Sequence, residues 1–317
     1  AISGFGMEVG NGQDGLRVVN TNTNMTGMTV TNTKFSNAGN ANDGIFMEAQ
    51  GTSNMALSVV NNTFTQFFGD AIQVNGITGS TGTVRLVVKD SDFTNAVASG
   101  NGGIAMMPSG DLNFIADINN NVFSGILNNG GAPGAIGVTN GYTADADVTI
   151  RNNDLDNIIR GRGISVFADG GTADLLIDNN TIDGLGLNSA AAVSVNYTNG
   201  TGTATGNVTV SNNFIGQAAP LWTSGDGTAN AILLQTLNGA TMTALIQNNV
   251  VDANTQSEVV RVRAAGTGTS VMNATVENNE LRDTALATRV EFDASAGTAA
   301  QNGILNLSIA GNVMNGG

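Results

Sequence analysis

Apolar and polar residues alternate in short runs along most of the chain, and one six-residue arrangement keeps returning. Its first position is Val30, Val59, Val88, Ile118, Ile150, Ile177, Val210, Ile246, Val276 or Ile309, always Val or Ile. Five residues later stands an apolar residue: Phe35, Phe64, Phe93, Phe123, Leu155, Ile182, Ile215, Val251, Leu281 and Met314. Between them, three residues after the Val or Ile, comes a polar one: Thr33, Asn62, Ser91, Asn121, Asn153, Asn180, Asn213, Asn249, Asn279 and Asn312.

A second run follows each block after a Gly-rich or Asx-rich turn. Its apolar columns are Leu16, Ile45, Ile72, Ile104, Ile136 and their later equivalents to Val290, then, two residues on, Val18, Met47, Val74, Met106, Val138 and so on to Phe292. The residue between is variable: Arg17, Phe46, Gln73, Ala105, Gly137, Ser165, Ser194. Two uniform columns around a variable one predict a strand with one buried and one free face.

The repeat averages about 31 residues, and its spacing varies only outside the two runs. This predicts an all-β fold in which each repeat is one coil of a parallel β-solenoid, hydrogen-bonded to the coils above and below. Leucine-rich repeats would show LxxLxL, and ankyrin or tetratricopeptide repeats a helical period; neither is present. Ten blocks predict a single domain over residues 1–317, about ten coils and roughly 48 Å long at ~4.8 Å per coil.

The carriers of a family resemblance are the NNxF or NNxI block and the DGI or GDAI run after it, as in NNTFTQFFGDAIQV at 61–74. In these the chain resembles the right-handed parallel β-helix of the pectate-lyase-like superfamily over nearly its whole length. The resemblance implies a single-stranded right-handed β-helix. It implies little about activity, since that fold hosts lyases, hydrolases, tailspikes, adhesins and structural fibres.

Asparagine is depleted in strands, so its recurrence calls for a reason. A corner between strands leaves backbone N–H and C=O groups without ladder partners, and Asn tolerates left-handed geometry and bonds neighbouring backbone. An inward Asn62, and its equivalents Asn121, Asn153, Asn180, Asn213, Asn249, Asn279 and Asn312, would also stack as a ladder of amides, as in the family the chain resembles. Thr33 and Ser91 keep a hydroxyl there. The alternative is Ca2+ ligation by oxygen donors. A ladder consumes those oxygens internally and no GGxGxDxUx repeat occurs, so no cofactor is expected.

Composition narrows the function. The formal charge of −14, with eleven Lys and Arg against 25 Asp and Glu, opposes binding to nucleic acid phosphates or anionic membranes. The chain has no Cys and no His, which removes thiolate sites, Ser/His/Asp triads, the GHG pattern of polygalacturonases and most zinc sites. No Walker loop, GxSxG elbow or HExxH occurs. No run approaches the ~18 apolar residues of a membrane span, and AISGFG lacks a signal peptide's basic start and apolar run.

Three places invite a site. Asp154 and Asp156 lie near Arg160 and Arg162 of IIRGRG, with Asp183 one coil on; a lyase would need such acids as Ca2+ ligands and an Arg as base, while the plainer reading pairs turn acids with turn arginines. Asp90 and Asp92 in VKDSDF are a carboxylate pair of the kind glycosidases use, or solvated turn acids. Pro220, Leu221 and Trp222 stand in the insertion at 216–231, a candidate partner-contact loop or a segment folded over the solenoid. With Trp222 the only Trp and Tyr142 and Tyr197 the only Tyr, no aromatic-lined sugar groove is expected. Threonine pairs in GSTGTV, GTGTAT and GTGTSV are too few for an ice-binding face.

Leu16 lacks a preceding block and AGNVMNGG lacks a following run, so both ends read as incomplete, complementary coils. Uncapped solenoid ends are open strand edges, which fits head-to-tail self-association or a section of a longer helix. The expectation is a non-catalytic structural protein of an extracellular or cell-surface fibre, sheath or layer. A carbohydrate-binding or carbohydrate-active β-helix, with a polysaccharide partner, is the alternative.

Overall fold

The computed structural model describes residues 1–9, 12–37, 42–67, 69–94, 102–126, 134–158, 161–184, 189–216, 230–253, 259–283, 292–296 and 302–316. They form a β-solenoid of three parallel sheets with eleven, eleven and ten strands, and no helix occurs among them. Each coil gives one strand to each sheet. The first sheet holds the long strands, such as Asn54–Val60, Thr81–Lys89 and Asp111–Asn119. Short strands such as Thr63–Thr65, Asp92–Thr94 and Val122–Ser124 make the second. The third holds Ile45–Gln50, Ile72–Gly76, Ile104–Met107 and their equivalents.

The six-residue block spans the corner between the first and second sheets. Its Val and Ile residues pair directly, Val30 with Val59, Val59 with Val88 and Val88 with Ile118, through to Val276 with Ile309. Its Phe column pairs Phe35, Phe64, Phe93 and Phe123 in the same way. Parallel pairing in register sets identical side chains one rung apart, so a column of one residue type becomes a continuous core stripe. The four Phe rings stack with centroids 4.8, 4.9 and 4.5 Å apart and planes within 7°. Such pairs contribute roughly 0.5–1.5 kcal/mol each beyond the area they bury.

Two features differ from the sequence reading. An earlier rung precedes the first recognised block: Ile2 pairs with Val30 and Met7 with Phe35. There Gly4 and Phe5 replace the Asn pair, so a search for amides passes over it. The variable column of the third sheet is also not a free face throughout. Ala105, Ser165 and Ser194 are buried although they alternate with the core columns, and Gly137 is buried with them. Phe46 in the same column is buried too, with the Arg17 guanidinium over its ring, while Arg17 itself is exposed.

Candidate functional site

The two adjacent asparagines of the block have opposite duties. The first takes left-handed backbone at the corner: Asn32, Asn61, Asp90, Asn120, Asn152, Asn179, Asn212, Asn248 and Asn278 all have φ between 51° and 56°. Gly4 and Gly311 hold the same place at 74° and 65°. Asn, Asp and Gly are the residues that accept this geometry at least cost. Their side chains point outward and bond along the axis, as Asn179 Nδ2 does to Asn152 Oδ1 at 2.7 Å.

The second Asn points inward. Asn153 Oδ1 accepts from both the backbone N–H and the Nδ2 of Asn121, each at 3.0 Å. Asn153 Nδ2 in turn donates to Asn180 Oδ1 at 2.9 Å and, one coil back, to the Ile118 carbonyl at 2.9 Å. The same set continues through Asn180, Asn213, Asn249 and Asn279 to Asn312. Each amide therefore ties three coils together and satisfies corner groups that the strand ladders cannot reach. Asn62 bonds the Val30 carbonyl and accepts from Thr33 N–H at 2.9 Å, and its own N–H donates to Ser91 Oγ. At Thr33 and Ser91 a hydroxyl turns instead to the carbonyl of Thr31 or Lys89.

Asp154, Asp156 and Asp183 share one outer region. Asp154 and Asp156 are both exposed on the short strand Asp154–Asp156, and Asp183 N–H donates to the Leu155 carbonyl between them. The Asp154 carboxyl is raised above its ordinary range by partial burial and by the negative charges of Asp156 and Asp183. Arg162 is the second residue of the third-sheet strand Gly161–Ala168, and Arg160 lies outside the described residues. Among the described residues no three acidic side chains are placed to hold a metal ion.

Asp90 and Asp92 have structural surroundings. Asp90 is the left-handed corner residue and accepts from Asn120 Nδ2 at 2.6 Å, while Asp92 is exposed on its short strand. Pro220, Leu221 and Trp222 lie outside the described residues. No helix among those residues is long and apolar enough to cross a membrane.

The structure adds a groove that no column of the sequence announces. It follows the corner between the third and first sheets and is lined by Ile77, Met107, Pro108, Tyr142 and Phe167, with Asn75, Thr139, Asp169 and Thr201 among its polar groups. Spanning the coils of Asn75, Met107, Thr139, Phe167 and Thr201, it runs along the axis for about 19 Å at ~4.8 Å per coil. Tyr142 and Phe167 are each 41% exposed. Tyr142 has left-handed backbone and its N–H donates to Thr201 Oγ1 at 2.8 Å; that hydroxyl donates to the Asp169 carbonyl at 3.0 Å. The backbone at Tyr142 is thereby tied to the next two coils. Tyr197, the other tyrosine, is buried and its hydroxyl donates to the Ala173 carbonyl.

Comparison with protein-family models, with curated proteins and with solved structures finds no match to this chain.

Proposed function

We propose that this chain is a non-catalytic structural protein, a stiff β-solenoid rod that stacks head to tail in an extracellular fibre, sheath or surface layer. Membership in the pectate-lyase-like β-helix superfamily belongs to the same proposal. The observation that supports it best is the amide ladder, in which the most regular polar side chains bond one coil to the next. Any rung of a parallel solenoid offers an open edge with the hydrogen-bond pattern of the rungs inside it, so axial addition of copies repeats the internal contact and propagates. Sedimentation over a wide concentration range with negative-stain microscopy tests this. Growth along the rod axis is expected; discrete monomers at every concentration would rule out stacking.

A second reading, carbohydrate binding, is favoured by the groove. Aromatic faces at Tyr142 and Phe167, beside hydroxyl, amide and carboxylate groups, suit the apolar faces and hydroxyls of a sugar chain. With Asp169 in the groove and a net charge of −14, a neutral glycan fits better than a uronate polymer. A glycan array should show binding to neutral oligosaccharides that Tyr142→Ala and Phe167→Ala each weaken by roughly two- to tenfold, the scale of losing an aromatic contact. No binding, or binding indifferent to both substitutions, defeats this reading.

A further inference from the structure

The corner before the third sheet carries a column of acids in the early coils. Asp14, Asp43 and Asp70 each stand two residues ahead of a core residue, Leu16, Ile45 and Ile72. Asp43 is 1% and Asp70 5% exposed, and the Asp14 side chain is 6% exposed. Each carboxylate accepts from the backbone of the next coil: Asp14 Oδ1 from Asp43 N–H at 3.3 Å, Asp43 Oδ1 from Asp70 N–H at 2.8 Å, and Asp70 Oδ1 from Gly102 N–H at 2.8 Å. Like the amide ladder it ties side chains to the backbone of a neighbouring coil, but its bonds run in the opposite direction along the axis and its group is ionisable.

We propose that Asp43 and Asp70 in this column form a proton-dependent staple, which binds the early coils tightly when protonated and loosens their corner when it ionises. The surroundings offer the charge little cationic compensation, although Asn42 Nδ2 donates to Asp14 Oδ1 at 2.9 Å and to Asp43 Oδ2 at 3.3 Å. Among the described residues, Asp43 meets the negative charges of Asp70 and Asp14 and one cation, Arg17; that guanidinium lies 3.1 Å from Asp14 and over the Phe46 ring. Gly69 borders the Asp43 carboxylate, and Gly102 follows Asp70 in the column; neither brings a charge. Nearby Phe64, Phe67 and Ala71 are buried and apolar.

Burial, reinforced by Asp70 and Asp14, pushes the Asp43 carboxyl up to about 7, against the opposing hydrogen bond from Asp70 N–H. Burial alone pushes Asp70 up to about 6, against the Gly102 N–H bond. The folded coils thus hold these protons more tightly than the unfolded chain does. The stability they contribute is complete below the ordinary carboxyl range and is lost as pH rises through about 6 and about 7. That trend is opposite to that of a carboxylate held by a salt bridge.

Hydrogen exchange at about pH 5 and about pH 8.5, corrected for intrinsic rates, tests the staple in Ile45–Gln50 and Ile72–Gly76, with Thr241–Gln247 as internal reference. Protection in the two early strands should fall roughly tenfold or more at the higher pH relative to the reference. In Asp43→Asn/Asp70→Asn, which keeps each Oδ1 acceptor, the fall should vanish. Equal protection at both pH values, or a fall that persists in the double variant, overturns the proposal. Should the variant not fold, carbon NMR titration of the wild-type carboxyls decides: midpoints near 6 and 7 support the staple, and midpoints in the ordinary carboxylate range refute it.

Discussion

Asn152 and Asn153 are sequence neighbours that face opposite sides of the solenoid wall. Asn153 is 1% exposed, and its amide serves Asn121, Asn180 and the Ile118 carbonyl. Asn153→Ala removes the acceptor of two donors and the donor of one buried carbonyl, which should cost roughly 1–3 kcal/mol. Asn152 is exposed, with φ of 56°. Glycine accepts that backbone freely, so Asn152→Gly should shift the melting midpoint little. Asn152→Val should lower stability by about 1–2 kcal/mol through left-handed strain on a branched side chain. Urea melts of the three variants check the pattern; an Asn153→Ala midpoint equal to wild type would refute the ladder's contribution.

At the scale of strands and corners, legibility followed sequence offset. Residues that repeat at one offset from the Val or Ile, such as Asn121, Asn153 and Phe93, announce their column because parallel register stacks equal offsets. The earliest rung was hidden because Ile2 and Met7 keep the apolar positions while Gly4 supplies the corner without an amide. The buried variable column was hidden for another reason: Ala105, Ser165 and Ser194 interrupt no pattern, and their burial depends on what surrounds the sheet rather than on period. Groove residues come one or two per coil at unequal offsets, Ile77, Pro108, Tyr142 and Phe167, so equal spacing does not join them, and two aromatic rings meet there that the scarcity of aromatics gave no reason to expect together. The acids of the staple do share an offset. In the sequence they resemble ordinary Asx-rich turns ahead of a third-sheet strand, and only their burial separates Asp43 and Asp70 from solvated turn acids.

For the molecule as a whole, the governing fact is that each strand inside a sheet pairs with its equivalents one coil away in either direction. Stability is then close to a sum over coils and neighbour interfaces, and one coil can be removed if the cut joins equivalent positions. Deleting residues 249–278 joins Asn248 to Asn279, so the corner asparagine is still followed by an inward amide. The strand Thr241–Gln247 then meets Gly303–Ala310 in the register now held by Ser270–Glu277. The amide of Asn213 meets Asn279 in place of Asn249, with the same donor and acceptor. The shortened chain should fold, keep its β-rich circular dichroism and lose about 4.8 Å of length by small-angle scattering, with a lower melting temperature because one interface is gone. A control deletion one residue longer, of residues 249–279, joins Asn248 to Glu280, shifts everything after the joint by one place and so turns the apolar columns of the joined coil outward; it should aggregate. If both deletions behave alike, the columns do not set the register, and the one-dimensional account of this protein fails.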